Sequence, residues 1–234
     1  MPEPRSGSEE YWAAHLEREE SRYRDGESRL PATEDADARQ RQLTRLGNAA
    51  AGAGLALLMQ GRADDAGEWF HRAAERYRES FATAPADSWG RPIGAVKSLV
   101  LAGDWPGAED AARWALDVGA RWALDVGAGE AQSPIGRYAA ALAALVLGDD
   151  AQAREHADAI RSRDDFPRDV GDALAYLAAQ DVIGYTEAVE DVLESFATRE
   201  GYLEDLPVAD TVLVLQALAR RREMAAELSS PLLP

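Results

Sequence analysis

The stretch GRADDAGEWFHRAAERYRESF, residues 61–81, decides the fold class. Its apolar residues Ala66, Trp69, Phe70, Ala73, Ala74 and Tyr77 fall at i, i+3, i+4, i+7, i+8 and i+11. Those intervals place all six on one face of an α-helix and on neither face of a strand. The residues just before it, GLALLMQ, form a second apolar run that ends at Gly61. The local reading is therefore helix, glycine turn, helix.

The same shape returns twice. PIGAVKSLVLAGDWPGAEDAARWAL begins at Pro92, and PIGRYAAALAALVLGDDAQAREHADAI begins at Pro134. Each is an apolar helix opened by proline, where a missing amide hydrogen costs little. A Gly-Asp turn and a small-residue helix follow. In all three units a glycine precedes an alanine by five residues: Gly61 and Ala66, Gly103 and Ala108, Gly148 and Ala153. Small residues there let paired helices approach closely. Gly52 and Gly54 lie inside the helix over 37–59, where glycine costs stability, and imply that another backbone packs on them.

Outside the repeats, Ser8 caps a helix that ends at Asp25-Gly26, and residues 27–36 read as a loop. Helices opened by Pro167 and Pro207 flank one over 185–196. The sum is about ten helices in antiparallel pairs and no strand. The expected organisation is one all-α domain over 1–234, with N-terminal helices in 1–46, a repeat core in 47–165 and C-terminal helices in 166–234.

Gly54, Gly61, Ala66, Phe70 and Ala73 fit the small and aromatic positions of the tetratricopeptide (TPR) repeat, which this region resembles. The resemblance implies a TPR-like α-solenoid. Alanine replaces Phe70 in the second and third units, at Ala112 and Ala157. The C-terminal segments GYTEAVEDVLESF, VADTVLVLQALARR and LSSPLLP look like the end of the polymorphic-toxin immunity protein 49 family. That looser resemblance implies an all-helical inhibitor of a cognate toxin.

Composition narrows the partners. Forty-two acidic residues against 25 basic ones give a net charge of −17. Such a surface repels phosphate backbones, which argues against nucleic acid. Lys97 is the only lysine. Lysine depletion with acid enrichment resembles a salt-accumulating haloarchaeal proteome, with a high-GC bacterial codon bias as the alternative. There is no cysteine, so disulfides and thiolate metal sites are excluded. The polar N-terminus and the shortness of every apolar run imply a cytoplasmic protein without membrane contact.

A search for chemistry yields little. His15, His71 and His156 lie on three separate helices. His15 with Glu19 and His71 with Glu75 have i, i+4 spacing, which reads as solvent-facing helix pairs ahead of metal ligands. No nucleophile elbow, phosphate loop or zinc-helix motif is present. Acidic pairs such as Asp64-Asp65 and Asp149-Asp150 sit at helix starts, where the dipole favours them. No cofactor and no metal are expected. The expected function is non-catalytic binding of another protein, in the form of an immunity-type inhibitor if the looser resemblance holds. Trp69, Trp89, Arg91 and Trp105 are the candidate interface. The alternative is an enzyme or small-molecule binder with a pocket between helices near His71, Arg76, Tyr77 and Ser80.

One feature interrupts the repeats. Residues 112–127 read ARWALDVGARWALDVG, an octet copied in tandem. Pro92 and Pro134 stand 42 residues apart, and removal of one octet leaves 34, the TPR period. The interval from Ala66 to Ala108 is also 42 without any copied segment, so the period is not strict. Eight residues turn a helix by about 800°, roughly 80° beyond two turns, so Trp114 and Trp122 cannot share a stripe of one straight helix. Gly119 is the expected break, as a C′ glycine. The copy reads as a neutral insertion near an interhelix loop; the sharper reading extends the helix toward a partner. Deletion of residues 120–127 is expected to leave a folded, cooperatively melting protein, checked by circular dichroism. A collapse of the melting transition contradicts the neutral insertion.

Overall fold

A computed structural model describes residues 8–85, 87–125, 133–199, 201–202 and 205–234, with the side chains of 121–125 outside the description. Among the described residues the chain is all-helical: α1 (Glu9–Arg29), α2 (Ala36–Met59), α3 (Ala63–Phe81), α4 (Gly90–Leu101), α5 (Trp105–Asp125), α6 (Pro134–Leu147), α7 (Asp150–Arg161), α8 (Arg168–Ala179), α9 (Val182–Ala197) and α10 (Asp210–Arg220). None of these helices is long and apolar enough to cross a membrane.

Local chemistry sets the starts. Ser8, Asp35, Ser133, Asp149 and Asp181 each accept a hydrogen bond from a first-turn amide, which satisfies a donor the helix leaves over. Pro134 is the first residue of α6, as expected. Pro92 instead lies within the first turn of α4, which begins at Gly90. Pro207 opens no helix; α10 starts three residues later at Asp210.

The turns repeat more faithfully than the helices. Gly61, Gly103 and Gly148 have φ of 71°, 71° and 77°, the left-handed region that glycine enters without strain. The alanines five residues on, Ala66, Ala108 and Ala153, are completely buried. A fourth turn of this kind joins α8 to α9. There Gln180 takes the left-handed conformation at φ 55°, and Tyr185 fills the buried position five residues later.

Each helix packs on its neighbours in sequence, and α2, α4, α6 and α8 also touch one another in series. The main apolar core runs continuously from Tyr23 to Met224. The boundary expected at residue 46 falls inside α2. The last helix departs from the sequential order: α10 packs on α4 as well as on α8 and α9. Leu206 and Val208, just before it, join a smaller cluster with Trp12 and Ala56.

Several glycines act as sockets for side chains, where the sequence implied contact between backbones. A Cβ on Gly47 would stand 2.8 Å from the Tyr77 ring, and one on Gly94 would stand 2.7 Å from its other edge. Tyr77, on α3, is thus held between α2 and α4. Gly54 likewise faces Phe70, and Gly52 faces the Glu19 side chain. The helix expected to end at Gly26 continues to Arg29, because Gly26 packs against Leu46 and Gln42 on α2. Helix α5 runs through Gly119, which ends nothing; the glycine seats the Trp89 indole, 3.1 Å from where a Cβ would lie. The Trp122 side chain, the second of the two copied indoles, lies outside the described residues.

Gly94→Ala is expected to lower stability by about 1–3 kcal/mol, since the added Cβ would meet a ring already seated against Gly47. That corresponds to roughly 2–4 °C in melting temperature per kcal/mol for a chain of this size. Gly67→Ala is the control. It lies inside α3 with only a backbone oxygen at 3.9 Å from its Cβ position, so the melting temperature should hold or rise. Equal responses of the two variants would contradict the socket.

Candidate functional site

Phe196, Arg199, Tyr202, Leu206 and Val208, with Asp210 at the start of α10, close over the faces of α2 and α4, leaving a cavity of about 470 Å³. Its walls are mostly apolar: Ala51 and Leu55 from α2, Phe196 from α9, then Leu206 and Val208. Arg91 and Lys97 from α4, with Arg199 beyond α9, bring positive charge to it, and Asp210 brings one carboxylate. One strongly acidic chain thus lines this interior with more cations than anions.

Lys97 is fixed by Asp210, and its ammonium also donates to Thr211 Oγ1 at 3.3 Å. The lysine side chain is 16% exposed. Burial pulls its pKa down, but the charge of Asp210, with Tyr138 and the hydrogen bond, outweighs burial and holds the ammonium above the usual lysine range. This pair fastens the start of α10 to α4. At the other end Arg222 pairs with Asp150 and donates to the Leu145 carbonyl at 2.9 Å, locking α10 to the end of α6. Between them Gln216 accepts from Tyr185 Oη at 3.0 Å and from the Ala226 amide at 3.1 Å.

Arg91 is half-buried and bonded only to neutral groups. Its guanidinium donates to Gln40 Oε1 and, at 3.1 Å, to Ser80 Oγ. Burial without a compensating charge lowers its pKa from the ordinary arginine value.

The four candidate interface residues do not converge. Trp89, 2% exposed, is packed inside against Gly119 and is closed to a partner in this conformation. Trp69 is half-buried on α3, edge-on to Tyr23 at 5.3 Å, with Arg72 over its face at 4.5 Å. Trp105 opens α5, and Arg221 covers its indole at 4.3 Å. It borders a second depression with Leu58, Leu101 and Leu213. Of the alternative quartet only Tyr77 lines the cavity. Ser80 is buried under Arg91, Arg76 binds Tyr23 and Glu27 across to α1, and His71 lies outside.

The histidines also sort differently from their spacing. His71 passes over Glu75: its Nδ1 lies 2.8 Å from the Gly67 carbonyl and its Nε2 3.1 Å from Asp104. Both partners are acceptors. The contact with His71, after the Gly107 amide, helps hold the Asp104 carboxyl below its usual range. His15 and Glu19 face inward, where a solvent-facing pair was expected. Glu19 is fully buried and held by Arg18 and Arg22, each at 2.9 Å. His15 is 9% exposed, beside Tyr11 and Trp12. No group of three metal-ligating side chains occurs among the described residues.

Burial, reinforced by Arg18 and opposed by Asp205, lowers the pKa of His15. A histidine with a depressed folded pKa binds fewer protons when folded, so its contribution is complete above the unfolded value near 6.5 and drains away as pH falls below it. From about pH 7.5 to about pH 5, wild-type protein should therefore lose stability relative to His15→Gln in urea titrations. A difference that stays constant, or moves the other way, contradicts a neutral buried imidazole.

No protein-family description, curated protein or solved structure matches this chain.

Proposed function

We propose that this chain is a non-catalytic, TPR-like α-solenoid that binds another protein, in the form of an immunity-type inhibitor of a basic toxin. One observation supports this reading most strongly. The row formed by α2, α4, α6 and α8 already receives a polypeptide: the chain's own α10 lies against α4 and is pinned at its two ends through Lys97–Asp210 and Arg222–Asp150. A stacked-helix face that seats one helix by apolar contact and paired charges is suited to seat another.

The partner site in this reading is the depression beside Trp105, bordered by Leu58 and Leu101 and flanked by Arg220 and Arg221. Tryptophan and arginine are the residue types that dominate binding hot spots. The net charge of −17 steers a basic partner toward the molecule and makes association salt-dependent.

Affinity capture from the native cells followed by reconstitution from purified components tests the proposal. The expected result is one basic protein that binds stoichiometrically, faster at low salt, and at least roughly tenfold more weakly to Trp105→Ala. The variant should keep its melting temperature within a few degrees, because its indole is only half-buried. Absence of any stoichiometric partner, or undiminished binding by Trp105→Ala, overturns it.

A further inference from the structure

We propose that the cavity between α2, α4 and the residues Phe196, Leu206 and Val208 binds a small amphiphile: an apolar chain ending in a single anionic headgroup, a carboxylate or a phosphate monoester, gripped by Arg91. The cavity shares Leu101 with the depression beside Trp105, but its headgroup seat at Arg91 does not rest on the protein-binding reading.

Arg91 is the residue on which this site turns. No carboxylate of the described residues pairs with it, in a chain holding 42 acidic residues. A half-buried cation without a counter-ion is costly to maintain, and its neighbours Gln40 and Ser80 orient the guanidinium without neutralising it. Those two partners use two of the five N–H donors of the fork, so three remain for a ligand. A guanidinium fork binds carboxylate and phosphate oxygens in pairs. Lys97 and Arg199 add positive potential to the same cavity against the one carboxylate of Asp210. Lys97 is already committed to Asp210 and Thr211, and the Arg199 guanidinium lies 3.8 Å over the Phe196 ring. Arg91 is therefore the headgroup ligand, and the other two set the field.

Volume and lining define the rest of the ligand. A cavity of about 470 Å³ lies within the ordinary range for small-molecule sites. Ala51, Leu55, Phe196, Leu206 and Val208 offer an unbranched chain no hydrogen-bonding partner, so they favour hydrocarbon. Thr44, Asn48, Ser98 and Tyr202 add a few polar groups to the lining, but apolar wall predominates. The seat thus combines a cation that has no acidic partner with a mostly apolar wall.

Isothermal titration of the full chain with decanoate, decyl phosphate and decanol, each below its micelle concentration, tests the assignment. The expected result is one saturable site for at least one of the two anions, roughly tenfold tighter than for decanol, the preferred anion identifying the headgroup. Arg91→Gln should erase the preference for the anion over decanol. Ala51→Phe should abolish binding of all three by filling the cavity. The two variants act independently, so one that fails to fold leaves the other to decide. Absence of saturable binding by either anion, equal affinity for decanol, or undiminished binding to folded Ala51→Phe overturns the proposal.

Discussion

The insertion of the Tyr77 ring between Gly47 and Gly94 is the contact on which the remaining geometry rests. It determines how closely α2, α3 and α4 approach, because both flanking helices present bare Cα atoms to the ring. The phenol then reaches Asn48 Oδ1 at 3.0 Å, so the ring is fixed along its length as well as across its faces. One turn away on either side stand the residues of the cavity: Ala51 beyond Gly47, and Arg91 and Lys97 about Gly94. A bulkier seam would part α2 from α4 and open the cavity floor. The same device recurs where Phe70 meets Gly54, Trp89 meets Gly119 and Tyr176 meets Gly184. Aromatic rings set into glycine sockets let an alanine-rich chain, poor in large side chains, fill its interior at native density.

The C-terminal segment supplies the second constraint. Sequential packing alone would leave the face of α2 and α4 uncovered. Leu206 and Val208 reach back to Trp12 and Ala56, and α10 lies against α4, so the chain closes on its own middle. Two charged pairs hold the ends of this clasp, Lys97 with Asp210 and Arg222 with Asp150. Neither pair is fully exposed, so each is screened less by salt than a surface pair. The only lysine of the chain is spent on one of them.

Much of the helical architecture was legible because it rests on periodicity and turn chemistry. The face of α3 and the turns at Gly61, Gly103 and Gly148 are strictly local signals. The turn at Gln180 was hidden because a polar residue holds the left-handed conformation and Tyr185 replaces the expected alanine. Gly119 and Gly26 misled for one reason: a glycine that ends a helix and a glycine that admits a side chain look alike until the neighbouring helix is known. His15 and Glu19 were misplaced because i, i+4 spacing fixes a shared face but not whether that face is covered. The cavity was not legible at all. Its walls come from α2, α3, α4, α6, α9 and the connection after α9, and no spacing in the chain announces that they meet. Arg91 drew notice as part of a protein interface; its lack of an acidic partner is a tertiary fact.

Ring-current shifts in the proton spectrum test the central contact most directly. With the Tyr77 ring facing both glycines, one Hα of Gly47 and one of Gly94 should be displaced far from ordinary glycine positions, and both should return in a folded Tyr77→Leu protein. Ordinary Hα shifts at both glycines in the wild-type chain would show that the ring does not sit between α2 and α4, and the packing described for this molecule would fail with it.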